Sequence, residues 1–305
     1  MGCSFSVTEE PEENRRMSRL ALGTVQFGLP YGIANQDGQV TRPVAKTMLQ
    51  LAAAKGIDTL DTAIAYGESE TCLGEVGAQG FKLVTKLPAV PDSCDDITGW
   101  INDQVSASLG RLGMRSVYGL LLHRSEQLLG LDGKVIFQAL QHLKETGLVQ
   151  KIGVSIYSPG ELDALASRYR YDLVQAPFNL IDRRISTSGW LQRLKQDETE
   201  IHTRSAFLQG LLLMPRSAIP SKFAPWTELW DKWHNWLACH SITAVHACLA
   251  YPLAFAEVDR VVVGADSKSQ LEQLIGAALS IAPDALPDLG CDDEHLINPA
   301  RWPQI

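Results

Sequence analysis

The stretch Gly56-Ile57-Asp58-Thr59-Leu60-Asp61-Thr62-Ala63-Ile64-Ala65-Tyr66-Gly67 starts as a β-prone run, ends that run on an acid, and turns through glycine toward a helical pattern. The next apolar run, Phe81-Lys82-Leu83-Val84-Thr85-Lys86, also ends on a charged residue. Short runs bounded by turn residues read as buried strands, and the longer periodic segments between them as helices. The same rhythm extends in both directions. Strands are predicted at 20–24, 57–61, 82–85, 117–122, 151–154, 173–175, 200–203 and 260–263. Helical patterns fall near 43–55, 69–77, 95–112, 134–146, 159–168, 186–196, 226–251 (broken) and 267–280. Eight strands, each followed by helix, is the count of a single-domain α/β fold, the (β/α)8 TIM barrel. A doubly wound open sheet would call for a glycine fingerprint after an early strand, and no Gly-x-Gly-x-x-Gly occurs in the chain.

Composition agrees with one large core. The chain has 305 residues, of which 45% are hydrophobic and 20% charged. Residues 1–16 read as a disordered tail, 17–280 as the barrel, and 281–305, with its prolines and acids, as a segment wrapping the barrel. A net charge of −8 without a basic run leaves no footprint for a nucleic-acid partner. Six cysteines without a Cys-x-x-Cys spacing or a secretory signal read as reduced thiols of a cytoplasmic protein. Residues 233–256 lack Asp, Glu, Lys and Arg, but three histidines and Pro252 make them too polar for a membrane span, so two core-facing helices are expected. The start Met1-Gly2-Cys3 fits a myristoylation pattern and is read as an N-terminal extension.

In such a barrel the chemistry gathers where strands end, on the loops at the C-terminal face. The predicted ends supply Thr24, Asp61 with Tyr66 just beyond, Lys86, His123, Ser155, Gln175 and Arg204. Neighbouring strands lie about 4.8 Å apart, so an acid, a phenol, an amine and an imidazole come within reach of one another. An ammonium beside a phenol favours the phenolate and is expected to lower its pKa, and a carboxylate holds the ammonium charged. A tuned tyrosine without a nucleophile or a metal suits proton delivery to an oxygen that becomes an alkoxide, as when hydride adds to a carbonyl. No side chain donates hydride, so a nicotinamide is implied.

These residues resemble the aldo-keto reductases, whose signature is an Asp, Tyr, Lys and His tetrad on a (β/α)8 barrel. The resemblance runs from Leu20 to about Leu274, through Leu22-Gly23-Thr24, Asp61 with Tyr66-Gly67, Thr85-Lys86, Leu122-His123, Gly153-Val154-Ser155, Gln175-Ala176-Pro177, Gln209-Gly210 and Val263-Gly264-Ala265. The opening Gly23-Thr24-Val25-Gln26-Phe27-Gly28 is similar to a bacterial branch associated with carbohydrate and nucleotide-sugar pathways. The resemblance implies reduction of an aldehyde or ketone, with a sugar-derived carbonyl as one option. Tyr66 would be the general acid, Lys86 its partner, Asp61 the anchor and His123 the carbonyl-orienting donor. It implies NADP(H), with NAD(H) left open, held by Gly23, Thr24, Asp61, Ser155, Gln175, Arg204, Ser205, Gly264, Ser267 and Lys268. No metal site is expected. A nicotinamide-binding sensor with little turnover, and a barrel lyase or isomerase using Lys86 as a Schiff base, are the alternatives.

The chain departs from the family pattern in three places. Ile156 follows Ser155 where the family has Asn; Arg204 replaces the aromatic expected to stack on the nicotinamide; Gln270 replaces an arginine that clamps a 2′-phosphate, leaving Lys268 the nearby cation. Arg204 is expected to favour the reduced cofactor or to pair with an anionic substrate. His234, His240 and His246 do not share a helix face, which argues against zinc. Trp226, Trp230, Trp233 and Trp236 read as a core or interface stripe. Substrate-setting loops are expected at 124–134, 211–226 and in the C-terminal tail, with Trp302 near the rim.

Overall fold

All eight predicted strands form. The computed structural model describes residues 17–35, 37–283 and 285–304, so the expected N-terminal tail and its Met1-Gly2-Cys3 start lie outside the described residues. The strands are β1 (Leu20–Gly23), β2 (Thr59–Asp61), β3 (Lys82–Leu87), β4 (Val117–Leu122), β5 (Val149–Ser155), β6 (Leu173–Pro177), β7 (Glu200–Arg204) and β8 (Arg260–Gly264). They pair in parallel in sequence order, and β8 closes on β1 through Leu22↔Val263 and Gly23↔Gly264. Differences from the predicted strands lie at the ends. β3 runs on to Leu87 and β6 to Pro177 because Leu87↔Leu122 and Pro177↔Arg204 pairings occupy backbone groups beyond the apolar runs. Lys86 therefore sits inside its strand.

The longer helices are α1 (Arg42–Ala54), α2 (Ser69–Val76), α3 (Ile97–Leu112), α4 (Gly133–Glu145), α5 (Pro159–Leu165), α6 (Trp190–Gln196), α7 (Thr227–His240), α8 (Ala244–Leu253) and α9 (Lys268–Leu279). Local chemistry sets several of their ends. Asp96 accepts from the Gly99 amide to cap α3, and Ser158 with Glu161 forms a capping box on α5. Ser241, at φ 53°, ends α7, and Thr243 caps α8 by accepting from the His246 amide. The uncharged stretch at 233–256 is thus two helices. No described helix is long and apolar enough to cross a membrane. Of the four tryptophans expected to form a stripe, Trp230 and Trp233 are buried, and Trp226 and Trp236 are half-buried against the same core.

Strand alternation sorts the side chains into two environments. Leu22, Leu60, Leu83, Leu120, Val154, Val174 and Ile201 join the main core beneath the helices. Val84, Leu121 and Leu173 form a separate small core, two residues before Lys86, His123 and Gln175 respectively. The three polar groups thus share a strand face with a dry apolar layer. At the N-terminal ends, Glu200 accepts from Tyr118 and His202 and pairs with Lys151. Burial opposes ionisation of Glu200, but His202, Lys151 and Tyr118 outweigh it and hold the carboxyl far below the ordinary range.

The C-terminal segment lies against the barrel. The Cys291 amide donates to the Ile181 carbonyl, Arg184 reaches Glu294, and Trp302 is buried with its ring 5.0 Å from that of Phe223. Trp302 is therefore packing, and it is Pro299 and Ala300 that come to the cavity described below.

One buried carboxylate ties α2 to β3 and α3. Glu70 Oε1 accepts from Thr85 Oγ1 and Ser108 Oγ, each at 2.7 Å, and Oε2 accepts from Arg111 Nη2 at 2.7 Å. Removing one partner of a buried pair costs about 3–5 kcal/mol. Glu70→Ala is expected to lower stability by that amount, read as an earlier urea midpoint. A midpoint within error of wild type would show that this network contributes nothing net.

Candidate active site

The backbone brings Tyr66 over the end of β3. After β2 the chain keeps pairing with β3, the Thr62 amide donating to the Val84 carbonyl and the Ile64 amide to the Lys86 carbonyl. A turn follows, in which the Tyr66 amide donates to the Ala63 carbonyl. The β1 loop presses against this turn at Gly28, where a Cβ would stand 1.8 Å from the Tyr66 carbonyl oxygen. Only glycine fits, so Gly28 helps to fix the tyrosine from outside the tetrad.

Asp61, Tyr66, Lys86 and His123 converge at one end of a cavity of about 710 Å3. Lys86 Nζ donates to Asp61 Oδ1 at 2.7 Å and to the Thr62 carbonyl at 2.8 Å, with both side chains almost wholly buried. Asp61 Oδ2 accepts from Gln175 Nε2 at 2.7 Å, and Gln175 Oε1 accepts from Ser155 Oγ at 3.3 Å. The Tyr66 and His123 rings meet edge to face with centroids 5.9 Å apart, and Lys86 Nζ lies 5.2 Å from the Tyr66 ring centre.

The electrostatics correct one expectation. Burial, reinforced by the Asp61 carboxylate, holds the Tyr66 phenol above its ordinary pKa, whereas the sequence reading had Lys86 pulling it down. Asp61 already compensates the ammonium, so burial dominates at the phenol. Burial also lowers the pKa of Lys86, against the opposing pull of Asp61. His123 falls to about 4, chiefly through burial and then through the charges of Lys86 and Arg204. At neutral pH the site therefore holds a protonated phenol and a neutral imidazole.

The remaining expected residues divide. Gly23, Thr24, Ser155, Gln175, Arg204, Ser205 and Gly264 line the same cavity. Ser267 and Lys268 do not: Ser267 Oγ accepts from the Gln270 amide to cap α9, and the exposed Lys268 lies 3.5 Å from Glu272. Ile156 is fully buried in the main core, where its side chain needs no polar partner. Arg204 donates to the Ile156 carbonyl at 3.0 Å and to Ser205 Oγ at 3.2 Å, with its guanidinium 4.7 Å from the Tyr157 ring centre. Of the loops expected to set the substrate, 124–134 contributes nothing to the lining and 211–226 only Leu213. The walls come instead from Tyr31, Gly32, Ala34 and Asn35 of the β1 loop and from residues 205–207, 209 and 210 of the β7 loop. The two loops are tied together: Gln209 Nε2 donates to the Tyr31 hydroxyl and the Ile33 amide to the Gln209 carbonyl. Ser205, Leu208 and Gln209 all have positive φ, between 47° and 63°.

The sequence model of the Aldo/keto reductase family matches residues 19–285. The chain belongs to that family. This makes it an oxidoreductase of a family that generally uses NAD(P)H. The chain is 27% identical to the D-threo-aldose 1-dehydrogenase of a Pseudomonas species, over 83% of this chain and 89% of that one. It is 28% identical to the 6-dehydroglucose reductase of Agrobacterium fabrum, over 59% of this chain and 64% of that one. Among solved structures, an aldo-keto reductase from Bacillus halodurans superposes with a TM-score of 0.70 at 19% identity, covering 90% and 94% of the two chains. The glycerol dehydrogenase of Gluconobacter oxydans gives 0.65 at 21%, covering 87% of each.

Two features fit a dinucleotide of the kind this family generally uses. Gly264 presents bare backbone to the cavity beside Gln26, whose Nε2 would lie 2.4 Å from a Cβ built at 264. Gln26 Oε1 is buried, lines the cavity and has no hydrogen-bond partner. The sequence assigns Gln26 no role, although it stands within the quoted Gly23-Thr24-Val25-Gln26-Phe27-Gly28.

The depressed His123 pKa predicts a pH effect. Between about pH 6.5 and 4 the unfolded histidine takes up a proton that the folded one resists, so this residue's share of stability falls as pH falls through that window. His123→Asn is expected to flatten that part of the profile of urea midpoint against pH. An unchanged slope would mean that the imidazole is not held neutral.

Proposed function

We propose that the protein reduces an aldehyde or ketone to an alcohol with a nicotinamide dinucleotide, Tyr66 acting as the general acid. The observation that carries this reading is the pairing of a protonated, buried Tyr66 with a neutral His123 above the Lys86–Asp61 pair. Gly23, Thr24, Ser155, Gln175, Arg204, Ser205 and Gly264 would hold the dinucleotide, with Gln26 added from the structure. When bound, that group supplies hydride to the carbonyl carbon.

The side chains then handle the oxygen. A neutral His123 donates an N–H to the carbonyl oxygen and orients it without adding a charge that burial would penalise. As negative charge develops there, the Tyr66 hydroxyl delivers its proton. The phenolate left behind is stabilised by the neighbouring ammonium of Lys86, and Asp61 with Gln175 keeps that ammonium in place. The high resting pKa keeps the proton on Tyr66 until charge appears on the substrate.

The names of the relatives favour a sugar-derived carbonyl, and the polar walls at Tyr31, Tyr157 and Gln209 suit a polyhydroxy substrate. The Schiff-base alternative has little support, since Lys86 Nζ is buried and engaged by two oxygen acceptors. NADP(H), the form expected from sequence, would need a cation at the 2′-phosphate.

Tyr66→Phe is expected to lower turnover of a responsive aldose or keto-sugar by about 100-fold or more, the usual worth of general acid catalysis. Dinucleotide affinity, read by tryptophan fluorescence, should change little, because Tyr66 is not among the residues proposed to hold the dinucleotide. A variant keeping more than about a tenth of the rate would remove Tyr66 from the acid role.

A further inference from the structure

Charge is distributed unevenly along the cavity. Its lining holds two basic side chains, Lys86 and Arg204, and two carboxylates, Asp61 and Asp266. Lys86, Asp61 and Arg204 belong to the tetrad end, where Arg204 acts on the titration of Tyr66, Lys86 and His123. Past the end of β8 at Gly264, the wall is made by Asp266, just before α9, and by Gln270, Gln273 and Leu274 of α9. No cation lines it. Lys268 is paired with Glu272 at the exposed surface, and Gln270 Oε1 accepts from the Asp266 amide at 2.8 Å.

Asp266 is held in place across the mouth. Its Oδ1 accepts from Asn35 Nδ2 at 3.0 Å, and the same Asn35 amide group donates to the Gly38 carbonyl. The carboxylate is thus a fixed acceptor at the far end of the cavity. With the nicotinamide at the tetrad, as proposed above, the adenosine half of an extended dinucleotide has this end to occupy. A ribose 2′-hydroxyl there can donate to a carboxylate. A 2′-phosphate carries about −1.5 to −2 at neutral pH and donates nothing, so it needs arginine or lysine instead. Dinucleotide sites elsewhere divide on the same chemistry, an acid for the hydroxyl and an arginine for the phosphate.

We infer that this cavity selects NAD(H) over NADP(H), and that Asp266 is the residue that selects it, accepting from the adenosine ribose and repelling a 2′-phosphate. This inference rests on the reductase reading of the site. It reverses the NADP(H) that the family resemblance implies, and Lys268, the cation left near the replaced arginine, is exposed beside Glu272.

Equilibrium titration of the full-length protein with NADH and with NADPH, followed by tryptophan fluorescence, tests it without turnover. NADH is expected to bind at least about tenfold more tightly, the scale of one like-charge contact. Asp266→Asn, nearly isosteric and able to keep the Asn35 contact, should narrow that ratio by raising affinity for NADPH. Gln270→Arg should narrow it from the opposite direction by supplying a cation. Adenosine 2′,5′-bisphosphate against 5′-AMP, as competitors, should repeat the order at the adenosine end alone. Tighter NADPH binding in the wild type, or a ratio unmoved in both variants, would overturn the assignment to Asp266. Binding of neither nucleotide would overturn the reductase reading itself, a distinct failure.

Discussion

The site depends on keeping an ammonium and a carboxylate charged where almost no water reaches. Lys86 and Asp61 meet at 2.7 Å inside the strand ends, and each taken alone would be strongly disfavoured there. The arrangement holds because the remaining polar capacity is also used. Lys86 reaches the Thr62 carbonyl, Asp61 takes the Gln175 amide, and Gln175 takes the Ser155 hydroxyl. These bonds run across the barrel from β3 to β2 and then to β6 and β5, so the charge pair is stable only in a closed barrel with its register intact. Glu70 contributes from below by fixing Thr85, the neighbour of Lys86.

Much of this was legible in the sequence, and the limits have physical causes. Strand periodicity and turn punctuation place all eight strands, and the parallel order puts Asp61, Lys86, His123 and Gln175 near the C-terminal ends of theirs, at one end of the barrel. Side-chain partner choice between distant segments is less accessible. Nothing local to Lys268 says that it turns to Glu272, nor does the Asp266 neighbourhood reveal Asn35, more than two hundred residues earlier. Gln26 carries no signal in the sequence, since a glutamine near a glycine turn stands out only when its unpartnered oxygen is seen facing a cavity. The titration of Tyr66 is hidden from the sequence for a related reason. Spacing places a lysine beside a tyrosine, but whether that charge is already compensated depends on the third group.

Two departures from the family pattern find a common explanation. Ile156 turns into the core while its backbone carbonyl accepts from Arg204, and Tyr157 offers its ring to the same guanidinium. One segment after β5 thus serves as the cradle for Arg204. Among the described residues no carboxylate pairs with that guanidinium, so its charge extends into the catalytic end and helps to keep His123 neutral.

The β7 loop reaches its shape against the preference of its own backbone. Three non-glycine residues within five positions adopt left-handed conformations, each costing roughly 1–2 kcal/mol relative to the right-handed basin. The cost is met from outside, by the Asn179 amide donating to the Ser205 carbonyl and by the β1 loop fastened to Gln209. Local relaxation and accurate placement are therefore opposed in this segment. Substitutions that ease the backbone, glycine above all, would make the chain easier to fold and the wall beside Arg204 less sharply defined, so ruggedness and selectivity cannot both be improved through that loop.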